Sequence, residues 1–216
     1  MSANINKRST SHGKSEEGKM SVSTRSIDAY QAHATWTVPT TNASGRAVLL
    51  LRDRLGHRLH SLNNCLDVEM AFAGDSILDV DYLFHAPLIP NDAINSAVAA
   101  YRWLLAQLFR GCEITMVGEG SGGMIAIGTV LRLCDAFEAL PLKVILRYPC
   151  CFDVDMWRPI EAREGLKEAM ITIIGNVIDA DSDEHQIADA LCAAGANVKV
   201  RTSRDRLSLE KIHRES

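Results

Sequence analysis

The sequence predicts an α/β fold, a mostly parallel, doubly wound sheet with helices on both faces. Three observations carry this. Runs such as Ala47 to Leu51 and Leu142 to Tyr148 are largely apolar rather than alternating, as strands buried on both faces are. Segments with helical spacing separate these runs. Residues 114 to 123, Ile-Thr-Met-Val-Gly-Glu-Gly-Ser-Gly-Gly, lead from an apolar strand through a glycine-dense turn into a helix-like segment. Strands and helices alternating in this way build a parallel sheet with both faces covered.

The chain has 216 residues, 47% of them hydrophobic, enough for one domain with a sizeable core. Residues 1 to 26 are mostly Ser, Lys, Glu, Gly and Asn and read as a disordered tail. The single folded domain is then 27–216. Glu16 and Glu17 argue against a transit peptide in the tail.

Thr35 to Val38 is a possible first strand, ended by Pro39 and the turn Asn42 to Gly45. Ala47 to Leu51 is a strongly apolar strand. Ser61 to Ala73 carries Leu62, Leu66 and Met70 at helical spacing. Ser76 to Tyr82 is a strand, and a loop through Pro87 and Pro90 follows. Asn91 to Phe109 is an amphipathic helix with Asp92 in its first turn, where the macrodipole favours a carboxylate. Glu113 to Val117 is a strand, Met124 to Phe137 a helix, Leu142 to Tyr148 a strand and Ala169 to Gly175 another. Asp183 to Ala194 is a helix closed by Gly195, and Val198 to Thr202 is the last strand.

Composition narrows the function classes. A formal net charge of −4 gives no footprint for nucleic acid. No apolar run approaches the roughly 18 to 20 residues of a bilayer span, and the N-terminus lacks an apolar signal core. A cytoplasmic location fits. The six Cys form no C-x-x-C and read as buried free thiols. Cys150 and Cys151 point to opposite faces if they continue the strand before them. The acidic run Asp179, Asp181, Asp183, Glu184 lacks the glycine and final Glu of a calcium loop. His57 and His60 lack a clear third partner. The reading is therefore no metal and no cofactor, with Trp36, Trp103 and Trp157 as packing residues.

Sites in such sheets lie at the carboxyl ends of strands, which directs attention to Gly118 to Gly123. The layout is that of a nucleophile elbow, a Ser held on a strained strand-to-helix turn. In the pattern G-x-S-x-G laid on Gly118 and Gly122, the central position holds Gly120, and Ser121 comes one residue late.

On these residues the chain resembles the hormone-sensitive-lipase branch of the α/β-hydrolases. The resemblance runs through Asp81-Tyr82, Ala86-Pro87, the helix ending Tyr101-Arg102-Trp103-Leu104-Leu105, and Gly118 to Gly123. It continues through Ala126 to Asp135, Tyr148-Pro149, Asp179 to Glu184 and Ile187 to Val200, covering most of 46–208.

The resemblance implies an α/β-hydrolase-like fold and a carboxylic ester hydrolase ancestry, with specific departures. The family nucleophile position is Gly120. A one-residue shift at a helix start turns a side chain by about 100°, so Ser121 is not expected to replace that nucleophile. The glycine-rich oxyanion loop corresponds to Arg52, Asp53, Arg54 and Leu55, which lack the close-approaching glycines such a loop needs. Asp179 occupies the place of the family acid. The family His falls near Ser208, where there is no His, and an orienting Asp without its His has nothing to orient. Only about twenty residues separate the strand ending at Tyr148 from the next, so the cap is largely missing.

Gly118, Gly120 and Gly123 also spell G-x-G-x-x-G, the dinucleotide fingerprint, and Arg147 at the end of the next strand is placed to meet a 2′-phosphate. Against this, two or three strands precede the turn. The expectation is a catalytically impaired or inactive hydrolase-like protein that binds a protein partner or a small apolar ligand and forms a homo-oligomer. Its alternatives are a residual ester hydrolase using Ser121, and nucleotide or anion binding at the glycine turn.

Overall fold

A computed structural model of the chain describes residues 22–29, 32–40, 42–52, 72, 74–81, 90–149, 163–175 and 182–202. Its eight strands are β1 (Val22–Ala29), β2 (Ala32–Pro39), β3 (Ala47–Leu51), β4 (Ser76–Asp81), β5 (Ile114–Glu119), β6 (Lys143–Arg147), β7 (Met170–Gly175) and β8 (Asn197–Thr202). Its helices are α1 (Pro90–Ala106), α2 (Ser121–Asp135) and α3 (Asp183–Ala193). The strands form one sheet in the order β1-β2-β4-β3-β5-β6-β7-β8. From β4 to β8 all neighbours run parallel, whereas β1–β2 and β2–β4 are antiparallel. The mostly parallel sheet is the one the apolar strands predict.

The entry into the fold lies earlier than the sequence suggests. β1 begins at Val22, inside the stretch taken as tail, and pairs with β2 from Val22 opposite Pro39 to Ala29 opposite Ala32. Its sequence, Val-Ser-Thr-Arg-Ser-Ile-Asp-Ala, is polar, so composition alone hides it. Its β-branched residues Val22, Thr24 and Ile27 suit a strand.

The two faces of the sheet bury different sets. Leu49, Leu51, Met116, Val144, Leu146, Ile171 and Ile173 join residues of α1, α2 and α3 in the larger core. The alternate residues Val48, Leu50, Ile77, Val117, Ile145 and Ile174 form a second cluster with Phe72. This alternation is the period-two geometry of strands buried on both faces. The helix expected over Ser61 to Ala73 falls outside the described residues except for Phe72, which is fully buried.

α1 and α2 cross where Gly128 admits the Ile94 side chain; a Cβ at Gly128 would stand 2.4 Å from Ile94 Cδ1. Arg132 ties the pair with hydrogen bonds to the side-chain oxygens of Asn91 and Asn95. Trp36 packs edge-on against Trp103 and Phe109, with ring centroids 5.2 and 6.1 Å away. Both described Trp residues are thus packing residues, as expected; Trp157 lies outside the described residues.

Helix ends depart from the periodicity for local reasons. α1 stops at Ala106 and α2 at Asp135, short of the expected Phe109 and Phe137. Leu108 and Phe137 both adopt left-handed backbone, φ 72° and 55°, which ends a right-handed helix, and both side chains are exposed. The cysteine expectation also needs correction. Cys112 and Cys192 are free but exposed and Cys134 is half-buried, because they fall on a turn and on outward helix positions. Cys65, Cys150 and Cys151 lie outside the described residues.

α3 is capped by Ser182, whose backbone is extended and whose hydroxyl accepts the His185 N–H at 3.4 Å, beside its carbonyl, which accepts it at 3.0 Å. The bond to the hydroxyl is long, so Ser182→Ala is expected to cost no more than about 1 kcal/mol. Urea unfolding of the two proteins measures it; a loss several times larger would mean the cap carries more than this one contact.

Candidate functional site

The order of the strands locates the site. β3 is followed in sequence by β4, its neighbour on one side, and β5 by β6, its neighbour on the other. The carboxyl ends of β3 and β5 therefore flank a topological switch point, where open α/β sheets bind ligands. Arg52 stands at the end of β3; Glu119, Gly120 and Ser121 stand at the end of β5.

β5 passes into α2 through a tight, glycine-lined turn. Gly118 must lack a side chain, since a Cβ there would sit 2.5 Å from Gly122 O and 2.7 Å from Gly123 Cα. Gly123 faces Pro149, whose Cβ would be 3.1 Å from an added Cβ. These glycines bring the first turn of α2 onto the strand. Gly120 is the vertex, with φ 55° and ψ −120°, outside the regions open to an L-residue. Its N–H donates to Arg147 O at 2.9 Å, and its own carbonyl accepts the Gly123 N–H at 3.0 Å. The neighbouring strand ends in a second strained residue, Tyr148, with φ 47° and its N–H on Ile174 O.

Ser121 is the first residue of α2, not the vertex. It is only 3% exposed, and its Oγ has no hydrogen-bond partner among the described residues. Among the described residues, the hydroxyl has neither an imidazole nor a carboxylate to draw off its proton, which nucleophilic activation needs. Asp53, Arg54, Asp179 and Ser208 lie outside the described residues.

The structure adds a group of charges that the sequence reading passed over. Arg147 Nη1 meets Glu119 Oε1 at 2.5 Å, the two side chains 7% and 18% exposed. Arg52 Nη2 meets Asp79 Oδ2 at 3.2 Å. Burial raises the Glu119 pKa above the usual carboxylate value. Arg147 and then Arg52 pull it back down, and Asp79 adds a smaller upward push. The Arg147 guanidinium also lies 5.9 Å from the Tyr148 ring centroid.

This arrangement corrects the nucleotide reading at one point. Arg147 is buried and paired with Glu119, so it is not a free cation awaiting a 2′-phosphate. The glycines that spell the dinucleotide fingerprint are accounted for by close packing at Gly118 and Gly123 and by the vertex at Gly120. Among the described residues, no three His, Cys, Asp or Glu gather as metal ligands, and no helix is long and apolar enough to cross a membrane.

No family model matches the chain, and no curated protein is similar to it in sequence. Solved structures are similar in fold. A fungal esterase from Rhizomucor miehei aligns with a TM-score of 0.72 at 11% identity, over 93% of this chain and 84% of its own. EstE5, in a crystal soaked with ethyl alcohol, aligns at 0.67 and 17% identity, over 92% and 86%. An esterase from the bacterial hormone-sensitive lipase family aligns at 0.63 and 16%, over 84% and 74%. The chain thus has the α/β-hydrolase fold seen in these esterases, as the sequence resemblance implies.

Proposed function

We propose that this α/β-hydrolase-fold chain is a catalytically impaired or inactive relative of the ester hydrolases that works as a binding or accessory protein. One observation supports the reading: the turn between β5 and the helix after it is strained at its vertex, and the residue there is glycine. An elbow strains its vertex residue so that a side-chain oxygen projects above the sheet. At Gly120 no oxygen is there to project. The adjacent hydroxyl, Ser121 Oγ, is buried and has no partner among the described residues. The sequence adds the missing glycines at Arg52, Asp53 and Arg54 and the missing His near Ser208. A fold shared with esterases does not by itself confer their chemistry. A switch point at the strand ends, in a sequence too short between Tyr148 and Ala169 for the family's full cap, suits a protein partner or a small apolar ligand.

A second reading is favoured by the same hydroxyl. An unpartnered buried Ser in the first turn of a helix keeps some capacity for attack, and a residual ester hydrolase would use Ser121. Hydrolysis of a short p-nitrophenyl ester by the purified protein, beside Ser121→Ala, separates the two. The proposal expects no rate above buffer from either protein. A clear rate that disappears in Ser121→Ala would establish the residual enzyme instead.

A further inference from the structure

Four neighbouring strands, β4, β3, β5 and β6, share one sequence device at their carboxyl ends. Each places a charged residue two positions after a buried apolar one: Ile77 and Asp79, Leu50 and Arg52, Val117 and Glu119, Ile145 and Arg147. Two positions along a strand return to the same face. All four charges therefore stand on the face of the second apolar cluster, at its carboxyl rim. The register makes them neighbours. Asp79 pairs with Leu50, Leu51 with Gly118, and Glu119 with Arg147, so one further step puts Arg52 beside Glu119. Across the sheet the signs alternate: Asp79 negative, Arg52 positive, Glu119 negative, Arg147 positive.

Arg147 joins this row to the elbow. Its side chain holds Glu119, and its carbonyl holds the Gly120 N–H. We propose that the four charges form one proton-linked unit, in which Glu119 exchanges its proton in the folded protein and its charge state is felt at the Gly120 turn through Arg147. The groups facing Glu119 among the described residues are Arg147, Arg52 and Asp79. At the acid end, a neutral Glu119 holds Arg147 more weakly than a charge-assisted bond does, since such bonds are about twice as strong as neutral ones. The proposal stands whether or not the protein retains any hydrolysis.

The test is an NMR titration of the full-length protein. It follows the Glu119 side-chain carboxyl carbon and the Gly120 amide together, in the wild type, Glu119→Gln and Asp79→Asn. The wild type is expected to show one step, above the ordinary carboxylate range, common to both signals. Glu119→Gln is expected to remove that step from the Gly120 amide. Asp79→Asn takes away a like charge and is expected to move the step to lower pH. A Gly120 amide that titrates unchanged in Glu119→Gln, or a Glu119 step that Asp79→Asn leaves in place, would overturn the proposal. If Glu119→Gln does not fold, the comparison of wild type with Asp79→Asn decides.

Discussion

Arg147→Met is expected to lower folding stability by about 3–5 kcal/mol above neutral pH, because it leaves Glu119 buried without its hydrogen-bonded counter-charge, with only Arg52 nearby among the described residues. Removing both partners, as Glu119→Leu with Arg147→Met, is expected to recover most of that loss, since a well-packed apolar pair escapes the desolvation cost of two buried ions. The pH dependence has a definite sign. Burial raises the folded-state pKa of Glu119 above its unfolded value, so the folded chain holds this proton more tightly. That contribution is complete below the unfolded value and is lost as the pH rises through the folded one. Without Arg147 the folded value rises further. The deficit of the single variant is therefore largest above neutrality and shrinks on mild acidification. Urea unfolding at two pH values, for the single and double variants, measures both effects. A single variant with the same deficit at both values would mean its cost is lost packing rather than an uncompensated charge.

The strands of the parallel core were legible because residues such as Val48, Leu49 and Leu50 are apolar whichever face they meet, a pattern only a doubly covered strand produces. The first strand was not. Its sequence reads as tail, and it owes its place to pairing with β2, a non-local partnership that no short window reveals. The helix starts at Ser121, three residues before the periodic segment at Met124; in the sequence, Gly122 and Gly123 read as loop. Their role appears only when Gly118 and Pro149 are seen against them. At the site, the G-x-S-x-G pattern laid on the sequence picks out Gly120, the residue at which the chain bends with positive φ. The charge row was also written in the sequence, as a charged residue two places beyond a buried one in four strands. Such a residue reads as a solvated strand end until the sheet order brings Asp79, Arg52, Glu119 and Arg147 side by side.

Placing a serine at the vertex tests whether, under the proposed reading, the nucleophile alone or the whole catalytic machinery is missing. Gly120→Ser is expected to fold with a stability lower by about 1–3 kcal/mol, the strain of a non-glycine residue held in a sparsely populated conformation. It is expected to hydrolyse a short p-nitrophenyl ester no faster than the unmodified protein. A vertex hydroxyl needs a base to take its proton and preorganised donors for the oxyanion; one missing oxyanion donor alone typically costs about 100- to 1000-fold. By the resemblance to the hydrolases, no His stands near Ser208, and Arg52, Asp53 and Arg54 take the place of the donor glycines. Unfolding and ester hydrolysis on the same preparation read the two halves. If stability is unchanged, the vertex is not held as tightly as its dihedrals imply. If hydrolysis rises well above the parent, then base and oxyanion donors survive elsewhere in the chain. Gly120 would then be the single lesion in an otherwise competent hydrolase, and the binding role would have to be abandoned.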